Sequence, residues 1–285
     1  MRVLVTGAGG QLGHDTVAAC ERAGDTVIAA DRAVVDVTDR DAVLGAITSA
    51  QPDAVINCAA WTAVDACEDD PDRALLANGM AVRHVAEACH RVGAHLVHVG
   101  TDYVFDGSLD RPYHEWDDTN PQSVYGMTKL LGEREALALG PAAAVVRTSW
   151  VCGEHGNNMV KTVLRLVDSH PQLAFVDDQV GHPTFTADLG PVLRQVALDR
   201  RSGVMHLTNQ SAVSWYEFVR EIVRLVGRDP DATVRPISTA DLQPPRPAPR
   251  PANSVLDNAV ARMTGMAPMR DFRDPLAELV RVLTA

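Results

Sequence analysis

The chain has 285 residues, of which 46% are hydrophobic and 22% charged, values typical of a folded globular protein rather than a disordered one. Its formal net charge of −11 argues against a nucleic-acid-binding surface. Five cysteines without a C-x-x-C pair indicate neither a disulfide framework nor a zinc ribbon, and no apolar run reaches the ~18 residues of a membrane span. We therefore predict a cytoplasmic protein that binds neither nucleic acid nor membranes.

The first half of the chain alternates short β-branched runs with longer segments whose apolar residues recur every three or four positions. The first pattern predicts strands and the second amphipathic helices. Such an alternation predicts a doubly wound parallel sheet of the Rossmann type over residues 1–150. The predicted strands are Arg2–Thr6, Thr26–Ala30, Ala54–Asn57, His95–Val99 and Ala144–Arg147, and the predicted helices are Gln11–Ala23, Asp41–Ser49, Pro71–Val92 and Ser123–Leu139.

The second half of the chain has a looser pattern, which predicts a smaller C-terminal α/β lobe over residues 151–285 with the chain crossing between the two lobes. A proline-rich stretch at Gln243–Pro251 excludes a helix or a central strand, because proline lacks the backbone N–H and fixes φ. On this basis alone it is a connector. The predicted helices are Met159–Val167, Thr186–Leu198, Trp215–Val226 and Pro275–Leu283.

A glycine-rich loop joins the first predicted strand to the first helix. Gly7, Gly10 and Gly13 have the spacing G-x-x-G-x-x-G rather than the commoner G-x-G-x-x-G. Backbone N–H groups and the helix dipole at such a junction suit a pyrophosphate, so the loop predicts a dinucleotide site. The structural alternative is a turn that only lets the helix pack closely on the strand.

The end of the second predicted strand bears on the identity of the dinucleotide. Asp31 follows Gly13 by 18 residues, close to the offset of ~20 at which a carboxylate binds the adenosine ribose. Arg32 is next, and an arginine there accommodates a 2′-phosphate. Both NADH and NADPH therefore remain candidate cofactors. The alternative is that Asp31 and Arg32 are ordinary charged residues at the end of a strand.

Three further residues, Thr101, Tyr125 and Lys129, predict proton-transfer chemistry. Tyr125 and Lys129 are four residues apart in a predicted helix and so share one face, where a cation lowers the pKa of a neighbouring phenol. Thr101 and Asp102 follow the fourth predicted strand, at the sheet edge where ligands bind. The Thr101 hydroxyl is placed to donate to a carbonyl oxygen as negative charge develops on it, although a turn or helix cap is the alternative.

No metal site or hydrolase motif is predicted. The ten histidines lack H-E-x-x-H or another ligand spacing. No G-x-S-x-G sequence is present, so a serine nucleophile is not indicated.

Taken together, these residues resemble the extended short-chain dehydrogenase/reductases, through the three glycines and the Tyr125/Lys129 pair. Within that superfamily, the chain is most similar to the dTDP-4-dehydrorhamnose reductase family, and the resemblance extends from residue 1 to about residue 258. The segments that carry the narrower match are Asn57–Asp65, Thr101–Gly107, Arg147–Val151, Gly156–Asn158, Asp177–Thr184 and Arg250–Ser254.

The resemblance implies that hydride from a nicotinamide reduces the 4-keto carbon of a dTDP-4-keto-6-deoxyhexose, giving dTDP-L-rhamnose. Tyr125 would donate the proton, Lys129 would bind the nicotinamide ribose and lower the pKa of Tyr125, and Thr101 would hydrogen-bond the carbonyl oxygen. The implied binding residues are Gly7, Gly10, Gln11 and Leu12 at the pyrophosphate, Asp31 and Arg32 at the adenosine ribose, Asp36 and Val37 at the adenine, Ala60, Trp61 and Thr62 along the cofactor, and Asp102 and Trp150 at the sugar.

The C-terminal lobe would bind the sugar nucleotide, which makes the proline-rich segment a shaped loop rather than a connector. Arg165, Arg246 and Arg250 are the candidates for contact with the substrate diphosphate. The family pattern is broken at Gly100, where serine is common, and at Trp61 and Cys152, which could reshape the sugar pocket. A reductase of another dTDP-4-keto-6-deoxysugar therefore remains an alternative, as does a non-catalytic regulatory subunit. We expect a monomer or a homodimer.

Overall fold

A parallel sheet of six strands forms the centre of the computed structural model, which describes all residues from Met1 to Ala285. The sheet order is β10-β5-β4-β3-β1-β2, and three two-stranded sheets, β7/β12, β6/β9 and β8/β11, lie outside it. The strands are β1 (Arg2–Thr6), β2 (Thr26–Ala30), β3 (Ala54–Asn57), β4 (His95–Thr101), β5 (Ala143–Thr148), β6 (Val151–Cys152), β7 (Leu173–Val176), β8 (Val180–Gly181), β9 (Thr184–Phe185), β10 (Gly203–His206), β11 (Val213–Ser214) and β12 (Val234–Ile237).

Helices cover both faces of the central sheet and build the C-terminal lobe. None of them combines the length and the apolar character needed to cross a membrane. The helices are α1 (Gln11–Arg22), α2 (Arg40–Ala50), α3 (Val64–Asp69), α4 (Pro71–Leu75), α5 (Ala81–Val92), α6 (Val124–Leu137), α7 (Met159–Ser169), α8 (Thr186–Leu198), α9 (Trp215–Leu225), α10 (Pro230–Thr233), α11 (Ala259–Met263) and α12 (Arg273–Thr284).

The doubly wound α/β fold predicted from the sequence is confirmed. Every residue of β3 and β5 is buried, as expected for strands covered on both faces. Side chains of α1, α8 and α11 pack on one face of the sheet in a single apolar cluster. Those of α2, α5 and α6 pack on the other face in a second cluster.

The predicted helix Pro71–Val92 is interrupted. A π-helical turn, Leu76–Met80, separates α4 from α5. At Gly79 in this turn, an added Cβ would lie 2.7 Å from Leu131 Cδ2, so α6 packs directly on the backbone there. The apolar spacing could not reveal this turn, because the polar Asn78 inside it is buried through contacts with distant residues.

The sixth strand of the sheet, β10, lies in the second half of the chain and was not predicted. It pairs in parallel with β5, and α8 before it packs against α1. The chain thus returns to the central sheet after residue 150. The remaining C-terminal elements enclose a separate apolar cluster built from α7, α9 and α12.

Helix α1 approaches the sheet so closely that no side chain fits at Gly13. An added Cβ would overlap the Gly7 carbonyl oxygen and lie 2.8 Å from Ala8 Cα. Overpacking of this kind costs about 1–3 kcal/mol. We therefore expect Gly13→Ala to lower the free energy of unfolding by that amount in denaturant titrations. The matched control is Gly45→Ala in α2, where nothing lies within 4 Å and alanine is favoured by about 0.5–1 kcal/mol. A Gly13→Ala protein as stable as Gly45→Ala would contradict the close approach.

Candidate active site

A cavity of about 570 Å³ lies at the carboxyl ends of β1, β2 and β3. This is the point at which the strand order reverses from β1 to β3, the usual ligand-binding crevice of an open α/β sheet. The structure brings most of the predicted cofactor residues together in its wall. Those lining the cavity are Gly7, Gly10, Asp31, Arg32, Asp36, Val37, Ala60 and Trp61.

The glycine loop offers free backbone donors at one end of the cavity. Gly7 has a φ of +66°, and an added Cβ would lie 2.7 Å from Ala59 N, so only glycine fits between β1 and β3. Gly10 caps α1 without a side-chain hydrogen bond, which leaves the first N–H groups, those of Gln11 and Leu12, open to an anion. The Leu12 side chain points into the core, so only its backbone can take part.

The opposite end of the cavity carries acidic groups and one exposed arginine. Asp31 Oδ1 accepts from the backbone N–H groups of Ala33 and Val34 at 2.9 and 3.0 Å. The Arg32 side chain is 80% exposed, and its Nε lies 3.5 Å from Asp36 Oδ2. Arg32 is therefore exposed and paired only with Asp36, which leaves the rest of its guanidinium accessible to an additional phosphate, while the Asp31 carboxylate is fixed at the strand end.

Buried Asn78, which sequence reasoning missed, holds the cavity wall at Trp61. Its Oδ1 accepts from Trp61 N at 2.8 Å, and its Nδ2 donates to Trp61 O at 3.1 Å and to Thr128 Oγ1 at 3.4 Å. The Arg73 guanidinium covers the Trp61 ring at 4.3 Å. Thr62, predicted to lie along the cofactor, is exposed and outside the cavity lining.

The predicted proton-transfer residues lie where β4 ends and α6 begins. Ser123 caps α6 by accepting from Gly126 N at 3.1 Å, which places Tyr125 in the first turn. The Thr101 hydroxyl donates to Asp102 Oδ1 at 3.0 Å. Burial raises the pKa of Tyr125, and a side-chain hydrogen bond with Thr101 acts in the opposite direction.

The pKa of Tyr125 is raised by burial in this structure, whereas its spacing from Lys129 predicted a lowered pKa. Lys129 Nζ donates to Val99 O at 2.6 Å and lies 3.5 Å from His98 Nε2. Burial lowers the pKa of Lys129 itself to about 8. Burial of both residues therefore outweighs the attraction between ammonium and phenolate that their spacing suggested.

Gly100, the position where serine is common in relatives, lies against a buried ion pair. Arg147 Nη2 and Glu133 Oε2 are 2.9 Å apart, and both residues are at most 5% exposed. A Cβ on Gly100 would be 2.5 Å from Glu133 Oε1. The glycine thus makes room for the ion pair. Having glycine rather than serine at this position takes no catalytic group out of the site.

Of the two predicted sugar residues, Asp102 directly follows Thr101, and Trp150 comes just after β5, the neighbour of β4 in the sheet. Asp102 is buried, its Oδ2 has no hydrogen-bond partner, and burial raises its pKa to about 6. Trp150 has a φ of +46°, and its ring stacks on that of Trp215 with centroids 3.5 Å apart. Trp215 was predicted only as the start of a helix, because stacking between distant residues leaves no periodic signal.

The three candidate arginines differ in their availability. Arg250 forms a paired interaction with Asp65, in which Nη2 and Oδ2 are 2.7 Å apart, and this fixes the proline-rich segment as a shaped loop. Arg165 is bonded only to Thr162 of its own helix, at 3.4 Å. Arg246 is exposed, and its guanidinium has no hydrogen-bond partner. Arg246 is the free cation of this loop.

One group of potential metal ligands lies near the glycine loop. The ligand atoms of His14, Asp15 and His155 are all within 4.8 Å of one another. The two imidazole rings stack with centroids 3.5 Å apart, and Asp15 Oδ2 accepts from the Thr186 hydroxyl. The absence of a metal site remains a prediction from the sequence.

Comparison with known proteins assigns the family. The profile described as the RmlD substrate binding domain matches residues 1–285. The chain belongs to this family. It is 44% identical to a dTDP-4-dehydrorhamnose reductase of Streptomyces griseus over 283 residues, 97% of this chain and 92% of the relative. It is 42% identical to a probable dTDP-4,6-dihydroxy-2-methyloxan-3-one 4-ketoreductase of Streptomyces antibioticus, covering 98% and 94%.

A solved structure supports the same assignment. The crystal structure of dTDP-4-dehydrorhamnose reductase from Bacillus anthracis, in complex with NADP, is 33% identical to the chain. It superposes with a TM-score of 0.94 and covers 99% of both chains. The fold is therefore the one expected from the strand–helix alternation, and the family is the one expected from the matching segments between Asn57 and Ser254.

Asn78 provides a test of the cavity wall. Asn78→Leu would leave the N–H and C=O of Trp61 without their partner, which costs about 1–3 kcal/mol for a buried group. We expect this decrease in the free energy of unfolding and weaker binding of a dinucleotide, measured by denaturation and by fluorescence titration. Asn120→Leu, at an exposed asparagine bonded to Asp106, should cost less. Equal decreases in the two variants, with unchanged dinucleotide binding, would contradict the assignment.

Proposed function

We propose that the protein reduces the 4-keto group of dTDP-4-dehydro-L-rhamnose to give dTDP-L-rhamnose, with NADPH or NADH as the reductant. The observation that carries this proposal is the placement of Thr101 at the end of β4 and of Tyr125 in the first turn of α6, next to the cavity-lining Trp61, in a chain of this family. Both hydroxyls lie at the carboxyl end of β4, where substrates meet cofactors in open α/β sheets.

The residues present fit a nicotinamide dinucleotide. The space left by Gly7 and Gly13 and the free N–H groups at the start of α1 suit a pyrophosphate. Asp31 is placed to bind the adenosine ribose, with Asp36 and Val37 near the adenine. The relative that binds NADP supports the use of a phosphorylated cofactor, and the exposed Arg32 supplies a cation for that phosphate.

The bound dinucleotide supplies the hydride that adds to C4 of the sugar. Tyr125 donates its phenolic proton to the 4-keto oxygen, and Thr101 hydrogen-bonds the same oxygen as negative charge develops. A phenol whose pKa is raised by burial is fully protonated before reaction, as a proton donor must be. Lys129 binds the nicotinamide ribose and supplies the positive charge that stabilises the phenolate left behind.

The sugar is proposed to lie between Asp102 and Trp150. The unpartnered Asp102 Oδ2 is placed to accept from a sugar hydroxyl, which would satisfy a buried oxygen. The stacked rings of Trp150 and Trp215 offer an apolar surface for a 6-deoxy sugar. Arg246, the unpaired arginine of the proline-rich loop, is the proposed contact of the substrate diphosphate.

A second candidate keeps the reaction and changes the sugar. The Streptomyces antibioticus relative, named for a different 4-keto substrate, is almost as similar to this chain as the Streptomyces griseus reductase. Pocket shape discriminates among such sugars, and Trp61 and Trp150 bring bulky rings to the site. NMR of the product formed from each 4-keto sugar nucleotide distinguishes the two candidates.

Tyr125→Phe tests the proton donor. Loss of general acid catalysis should lower kcat by about 10²- to 10⁴-fold, with little change in dinucleotide affinity. Turnover is followed as loss of nicotinamide absorbance with dTDP-4-dehydro-L-rhamnose. Tyr216→Phe, on α9 beside Arg220, is the matched control and should keep wild-type turnover. Full activity of Tyr125→Phe would show that Tyr125 is not the proton donor. A wild-type protein that binds dinucleotide but reduces no 4-keto sugar would favour a regulatory subunit.

Arg32→Ala tests the cofactor preference. Hydrogen bonds to charged groups contribute about 1.5–3 kcal/mol, so NADPH affinity should fall by about 10- to 100-fold while NADH affinity is nearly unchanged. Arg83→Ala, an exposed arginine on α5, is the control. Fluorescence titration with both cofactors measures the effect. An equal loss for NADH and NADPH would show that Arg32 does not bind the 2′-phosphate.

A further inference from the structure

Four buried polar residues form a continuous row behind the dinucleotide cavity. Thr6 Oγ1 donates to Asn57 Oδ1 at 2.6 Å, Asn57 Nδ2 lies 3.1 Å from His98 Nδ1, and His98 Nε2 lies 3.5 Å from Lys129 Nζ. They come from β1, β3, β4 and α6, and none is more than 2% exposed. The proposed reaction uses Lys129 and leaves the other three residues without a role.

The orientation of the Asn57 amide is fixed by its neighbours. Its Oδ1 accepts both from the Thr6 hydroxyl and from Ala59 N, the second at 3.2 Å. A backbone N–H can only donate, so the atom facing Ala59 must be the oxygen. The Asn57 NH₂ group therefore faces His98 and donates to it.

This orientation determines where the proton of His98 lies. Because Nδ1 accepts from the Asn57 amide, the neutral ring carries its proton on Nε2. That N–H points toward Lys129 Nζ. An N–H facing an ammonium is unfavourable, whereas a neutral amine accepts from His98 Nε2 and still donates to Val99 O.

The other groups that face Lys129 have the opposite effect. Glu133, on the same helix, and Cys58, after β3, both raise its pKa. The Glu133 carboxylate is shared with Arg147 on β5, which reduces its hold on Lys129. Burial dominates these effects and lowers the pKa of Lys129 to about 8, and it also keeps His98 neutral by lowering its pKa.

We propose that His98, held in one tautomer by Asn57, is a positioning residue that disfavours the ammonium form of Lys129 and directs its charge away from the core, toward the cofactor cavity. After each turnover, the Lys129 ammonium can then pass a proton to the Tyr125 phenolate, and the resulting amine takes up a proton from water in the cofactor cavity. The purpose of this arrangement rests on the proposed function, but its geometry and its test do not.

The wild-type protein allows a direct test, because Lys129 and Lys161 are its only lysines. Protein labelled with ¹³C and ¹⁵N in lysine gives two side-chain signals, which Lys161→Arg assigns. Nitrogen-15 spectra of labelled histidine report which ring nitrogen of His98 carries the proton, with His98→Gln used for assignment. We expect a neutral His98 protonated at Nε2. A proton on Nδ1, or an imidazolium at neutral pH, would overturn the proposal.

Asn57→Asp changes the tautomer with little change in shape. The carboxylate would accept from His98 Nδ1–H and leave the Nε2 lone pair to accept from the ammonium, so the pKa of Lys129 should rise by at least about one pH unit. His98→Phe/Asn57→Asp, compared with His98→Phe, measures the effect of the new charge alone. The rise in the pKa of Lys129 caused by Asn57→Asp should be smaller in the His98→Phe protein than in the wild type. An equal rise, or no rise in Asn57→Asp, would overturn the proposal.

These measurements remain informative if a variant fails to fold, since the histidine spectrum of the wild type decides the tautomer by itself. They also need neither substrate nor cofactor. If the protein reduces no 4-keto sugar but the tautomer and the Lys129 titration are as expected, the proposed function fails and the positioning by His98 stands. The reverse pattern would leave the reduction intact and remove the role of His98.

Discussion

The approach of α1 to the ends of β1 and β3, with no side chain between them, is the constraint on which the rest of the site depends. Gly7 and Gly13 remove the Cβ atoms that would hold the loop and the helix apart. The same contact leaves the first N–H groups of α1 without partners and opens the cavity beside Asp31 and Trp61. The same glycines thus allow the close packing and leave N–H groups available to an anion. The packing role that was considered as the alternative for this loop is therefore compatible with a binding role.

Burial is the second determinant of the chemistry. Thr101, Asp102, Tyr125 and Lys129 are all at most 8% exposed, and the three ionisable residues among them have pKa values shifted toward the neutral form. Burial therefore keeps Tyr125 protonated and moves the pKa values of Asp102 and Lys129 toward neutral pH, where each can exchange a proton. Electrostatic interactions are stronger in such water-poor surroundings, so small changes in the position of Lys129 have large effects.

The sequence predicted most of this architecture because its signals are local. The first five strands of the sheet, the glycine loop and the Tyr125/Lys129 spacing depend on neighbours in the chain, and the strand bounds differ from the prediction by at most two residues. Strand β10, Asn78 and Trp215 were missed because each depends on a partner far away in sequence. The direction of the Tyr125 pKa shift was wrong for a related reason, since spacing reports which residues share a face and not how deeply they are buried.

The side chain of Gln11 joins the two lobes at the cofactor site. It donates to Asn157 O at 3.0 Å and accepts from Asn158 Nδ2 at 2.9 Å, and Asn158 in turn caps α7. A dinucleotide bound at the first turn of α1, as proposed, would therefore lie next to the residue that holds the segment before α7. By thermodynamic linkage, any effect of the cofactor on sugar affinity is returned in equal measure by the sugar. One glutamine thus links the first turn of α1 to the segment that leads into α7.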